Sequence, residues 1–163
     1  MLIKPELMPA DARVWVYQSD RELSPEEIKL VAAKTSDFIE SWTAHQQTLH
    51  ASFEIRHSRF LIIMIDEKQA TASGCSIDKS VHFVNQLEKD LNLSFLNRMI
   101  YAYRAGELVK SLRQDDFQKA IDRKEITADT MVFNNLVSTK AELDSLWMVP
   151  LAESWHSRIF ELN

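Results

Sequence analysis

The chain has 163 residues, 45% of them hydrophobic and 26% charged, which is enough for a substantial core in a globular protein. A net charge of −5 and a pI of about 5.5 exclude the strongly basic footprint of a nucleic-acid-binding domain. Only two glycines are present, Gly74 and Gly106, so neither G-x-x-x-x-G-K-[ST] nor G-x-G-x-x-G can be written and the usual phosphate-cradling loops are excluded.

Taken along the chain, a short lead flanked by Pro5 and Pro9 precedes Arg13 to Gln18, whose β-branched and aromatic residues predict a strand. Ser24-Pro25-Glu26-Glu27 then announces a helix, with a serine cap, proline at the first helical position and a capping-box glutamate. Ile28, Val31, Thr35, Phe38, Ile39 and Trp42 follow at helical spacing. Ala51, Phe53, Ile55 and His57 alternate with polar residues, as in a half-exposed strand. Phe60 to Ile65 is apolar throughout, as in a strand covered on both faces. The short gap between the two predicts an antiparallel hairpin.

Glu67 to Cys75 reads as loop, and from Ser76 a second helix carries Ile77, Val81, Val84, Leu87 and Leu91 on one face. Arg98 to Arg104 is the fourth predicted strand. The order β-α-β-β-α-β predicts an α+β protein whose main layer, residues 1–104, is a ferredoxin-like split βαβ antiparallel sheet with two helices on one face. Residues 105–163 predict a small α/β extension packed on that layer. It comprises a turn at Ala105-Gly106, a strand around Leu108, a helix begun by Asp115 or Asp116 and a strand at Met131 to Phe133. A capped turn at Ser138 to Leu143 and an extended piece from Trp147 follow.

Two resemblances bear on this layout. The C-terminal third resembles GYF-like modules in the strand around Leu108, the helix around Phe117 and Ile121, the run Ile126 to Phe133, and Trp147 before Pro150. It lacks the Gly-Tyr-Phe triplet, so the resemblance implies fold and not proline-peptide binding. The run Leu61 to Glu67 ends an apolar strand in Asp66-Glu67, as a Walker B segment does, where the aspartate would hold Mg²⁺ and the glutamate would orient water. With that run, the chain resembles small bacterial proteins labelled ABC-transporter ATPases. No phosphate loop and no Leu-Ser-Gly-Gly-Gln signature accompany it, so the simpler reading is a buried strand ending in polar residues.

The segment Ser73-Gly74-Cys75-Ser76 with Lys79 is the first candidate site, since a helix N-terminus favours anions and lowers a thiol pKa. It is expected to form a small anion pocket or to hold a reactive thiolate. The alternative is a capped helix with Cys75 packed as a small apolar residue. One edge of the assumed sheet would gather Ser24, His50, Asp66, Cys75 and Arg98, which makes a Cys75–His50 pair conceivable and adds Arg98 to the ligand-binding set. None of the five histidines has metal-ligand spacing, so neither metal nor cofactor is expected. Trp147 and Trp155, beside His156 and Arg158, are candidates for partner binding or for anchoring the extension.

The longest apolar run is far too short for a membrane span, and Met1 to Glu6 holds no stretch of signal-peptide length. The single cysteine, Cys75, suits a reducing, cytoplasmic setting. The functional expectation is a non-catalytic module binding a protein partner or a small anion, with homo-oligomerisation possible. A thiol-dependent enzyme using Cys75 with His50 or Lys79 is the first alternative, and Mg-nucleotide hydrolysis through Asp66 and Glu67 the second.

Overall fold

Arg13–Gln18 forms strand β1, as its β-branched and aromatic residues dictate. Helix α1, Pro25–Ser41, begins at a complete capping box between Ser24 and Glu27 and buries Val31, Thr35 and Ile39. These elements belong to a computed structural model that describes residues 1–162. Two short strands follow, β2 (Thr43–Ala44) and β3 (Gln47–Thr48), joined by His45 and Gln46 at φ +50° and +66°. Both are left-handed residues of a tight hairpin turn.

The predicted hairpin is present as β4 (His50–Arg56) and β5 (Phe60–Asp66), in register from His50 opposite Asp66 to Arg56 opposite Phe60. Strand β1 lies antiparallel on the other side of β5, so the first sheet has the order β1-β5-β4. Central β5 explains its own sequence. Leu61, Ile63 and Ile65 face one core and Phe60, Ile62 and Met64 face another, so a run without polar alternation is what the position requires.

Helix α2, Gly74–Leu91, is capped by Ser73 through a reciprocal box with Ser76 and ends at Asn92 in the left-handed region. The helix thus starts two residues earlier than the sequence suggested. Helices α1 and α2 cover one face of the first sheet over a core that includes Trp42, Ile39, Val84 and Leu87.

The fourth predicted strand takes a different place. Residues Ile100–Ala105, β6, pair with β7 (Leu108–Arg113) and β8 (Met131–Phe133) in a second antiparallel sheet of order β7-β6-β8-β9, where β9 is Met148–Pro150. The four-stranded ferredoxin-like sheet is therefore not what β6 completes. At the open edge of β1, Val14 N–H donates to Ser138 O at 2.9 Å and Lys140 N–H to Ala12 O at 2.9 Å, so residues 138–140 occupy the lane β6 would need. Strand β6 also buries both faces, Ala102 toward the first sheet and Tyr101 and Tyr103 away from it. Only a lane between two cores satisfies both. The boundary expected after residue 104 consequently falls inside β6, whose partners β7 and β8 lie beyond it.

The second sheet packs face to face on the first, through Phe133, Trp147, Ala102 and Val137 against Phe60, Ile62 and Met64. Its outer face is covered by α3 (Gln114–Asp122) and by Leu151 and Phe160, while α4 (Lys140–Leu146) adds Leu143 to the core between the sheets. The layers run helices, sheet, sheet, helix. No helix among the described residues is long and apolar enough to cross a membrane.

Candidate functional site

The start of α2 is used by its own cap. Ser73 Oγ accepts from Ser76 N–H at 3.1 Å, and Ser76 Oγ accepts from Ser73 N–H at 2.7 Å while donating to Ser73 O. Ser76 is buried, with its carbonyl oxygen accepting from Trp42 Nε1. Gly74, Cys75 and Lys79 are exposed, and nothing lies within 4 Å of the point a Cβ on Gly74 would occupy.

His50 and Asp66 are register partners at the same end of the first sheet, but no hydrogen bond joins His50 to Cys75 among the described residues. Asp66 Oδ1 accepts from Lys68 N–H, and Glu67 Oε2 from Ala72 N–H with Arg13 3.7 Å away. These two carboxylates hold the loop that leads into α2.

Ser24 and Arg98 lie at the opposite end. Gln18, at that end of β1, sits opposite Phe60 and bonds to Ile100 O, and Arg21 beside Ser24 bonds to Leu91 O at the C-terminus of α2. The expected convergence of Ser24, His50, Asp66, Cys75 and Arg98 fails because β1 and β5 are antiparallel. The end of one strand therefore meets the start of the other.

Trp147 is buried against Phe60 and Phe133, and its Nε1 donates to Asn135 Oδ1 at 3.0 Å. Trp155 is half-buried, stacks on His156 with centroids 3.9 Å apart, and donates to Asn134 Oδ1. His156 is only 2% exposed, and a 2.6 Å hydrogen bond joins its Nδ1 to Ser154 Oγ. Burial pushes its pKa down to about 4, so the imidazole is neutral at physiological pH. Ser154 is buried as well, so this serine–histidine pair has no open space for a substrate.

A different cluster does carry unmatched charge. The β4–β5 turn is Arg56-His57-Ser58-Arg59, with His57 and Ser58 at φ +55° and +51°. This two-residue turn needs left-handed backbone twice, and it is built without glycine or asparagine. Arg59 is 7% exposed. Its Nη1 donates to Ser111 Oγ of β7 at 2.8 Å, while its Nε is buried with no hydrogen-bond partner. No carboxylate forms an ion pair with it among the described residues, although the charges of Glu22 and Asp20 reach it. Burial lowers its pKa from the usual value, yet a guanidinium remains cationic.

The register of the second sheet sets the rest. Ser111 lies opposite Ala102 and Val109 opposite Arg104, and Ala102 and Val109 both pack into the core between the sheets. Residues directly opposite share a face, so Arg104 and Ser111 face the first sheet one step apart. Arg104 is half-buried and makes no ion pair or side-chain hydrogen bond among the described residues.

His57 is exposed at the turn but sits over Phe133 and Trp147, with ring centroids at 5.6 and 5.9 Å, and its pKa is lowered by partial desolvation first, then by the charges of Arg104 and Arg56. Arg56 lies over the Trp147 ring at 5.5 Å and pairs with Glu54. From β7 to β9 the rim between the sheets therefore carries Arg59, Arg104, His57 and Arg56 in turn, with one carboxylate bonded among them.

None of these four residues stands among the candidate site residues expected from the sequence, where His57 figures only in a strand and among the five histidines. The available signal was three basic side chains within four positions of an acidic chain, at a predicted hairpin turn. Among the described residues no group of three or more His, Cys, Asp or Glu side chains could hold a metal ion. The shallow groove between α1 and α2, about 340 Å³ and lined by Lys34, Phe38, Phe83 and Asp90, is crossed by a 2.8 Å Lys34–Asp90 ion pair and holds no reactive group. Comparison with known protein families, curated proteins and solved structures gives no match.

Proposed function

We propose that the chain is a non-catalytic binding module that holds a small anion at the rim between its two sheets, with Arg59 and Arg104 as the main ligands. The supporting observation is Arg59, a residue only 7% exposed whose buried Nε has no partner and which no carboxylate neutralises by direct contact. An uncompensated buried cation is costly in a folded protein, and an anion that completes its hydrogen bonds offsets that cost. Ser111 orients the fork by occupying Nη1. The order β1-β5-β4 beneath two helices is what a ferredoxin-like layer keeps when its fourth strand joins a neighbouring sheet, and we read that layer as the scaffold of the site.

Calorimetric titration with inorganic phosphate at pH 7 tests the proposal. Arg104→Gln removes a half-buried, unpaired charge, so the fold should tolerate it while affinity falls at least tenfold, as for loss of one charge-assisted contact worth about 1.5–3 kcal/mol. Equal affinity in the two proteins would remove Arg104 from the site and the proposal with it.

A further inference from the structure

Resting on the anion-binding reading, we propose that the ligand group is a tetrahedral dianion of the phosphate class and that His57 takes up one proton from solvent as it binds. The argument begins with charge. Four basic side chains line the rim, but Glu54 already pairs with Arg56, and Asp20 and Glu22 act on Arg59. What remains unmatched is Arg104 and a share of Arg59. That amount calls for more than one carboxylate charge and is far short of a polyanion's needs. Phosphate groups carry about −1.5 to −2 near neutral pH, which meets it.

His57 supplies the adjustable part. Arg56 lies beside it on β4, Arg59 follows it in the same turn, and Arg104 faces the rim from β6. Among the described residues the rings that meet it, Phe60 of β5, Phe133 of β8 and Trp147 at the end of α4, are uncharged. The charges that act on the imidazole, Arg104 and Arg56, are both cations, although Arg56 is bonded to Glu54, so the rim opposes its protonation. Partial desolvation over the two rings and the charges of Arg104 and Arg56 hold its pKa below the usual histidine value. A bound dianion reverses the sign of the local field, and the imidazole then gains a proton and a charge-assisted contact. By linkage, binding tightens as pH falls.

Sulfate is the appropriate probe because its charge stays at −2 throughout the range in which histidine titrates. Calorimetry should give sulfate affinity rising on the order of tenfold from pH 8 to pH 5.5. His57→Asn should abolish that slope, since asparagine accepts a left-handed backbone and does not titrate. Inorganic phosphate and glycerol 3-phosphate at pH 8 then separate the sources. Tighter binding of the ester names an organic phosphate and tighter binding of the free ion names inorganic phosphate, and either order supports the assignment. A flat sulfate profile in the wild type, or a slope retained in His57→Asn, would overturn the proton linkage while leaving the Arg104-dependent site standing. No sulfate binding at any pH would remove the site itself.

Discussion

Arg59 and His156 solve the same problem in opposite ways. His156 is buried beside Tyr101 and Trp155 and stays neutral, with Ser154 satisfying Nδ1. Arg59 cannot shed its charge, so its burial leaves a demand that only an anion or water can meet. The histidine gives a pH prediction with a definite sign. Its folded pKa of about 4 lies below the unfolded value near 6.5, so the unfolded chain binds the proton more readily. The stabilisation is complete above about pH 6.5, is lost as pH falls through the interval, and levels off below about pH 4. Urea unfolding at pH 7 and pH 4.5 should differ by up to about 3 kcal/mol from this residue, and His156→Gln should remove most of that difference. An unchanged pH dependence in the variant would mean that other groups control acid stability.

Element by element, legibility followed how local each signal was. Both long helices were readable because serine caps and 3.6-residue periodicity are written within the segment itself. The β4–β5 hairpin and the two-sided apolar character of β5 were readable for the same reason. The lane of β6 was not, because Ile100 to Ala105 reads as a strand in either sheet. The competitor for the lane beside β1, residues 138–140, lies more than thirty positions downstream. The candidate site shared that fate. Arg59 meets Ser111 across 52 positions, and periodicity carries no information about such a meeting. The start of α2, favoured by its local composition, is a self-satisfied cap. Ser73→Ala should cost about 1 kcal/mol in urea unfolding, whereas Cys75→Ser should stay within about 0.5 kcal/mol because Cys75 is exposed. A large loss in the cysteine variant would reveal a packing role the structure does not provide.

At the scale of the whole molecule, two sheets share one core, and the rim where the β4–β5 turn crosses the second sheet concentrates basic charge on a chain of net charge −5. A local field opposed to the global one favours a small anion over an extended polyanion, which the remaining surface repels. The most direct measurement is a sulfate titration followed by backbone amide NMR at pH 6. Shift changes should cluster at residues 56–59, 104 and 111 and saturate together with one affinity. Changes confined to residues 73–79 at the start of α2, or no saturable change anywhere, would contradict the account.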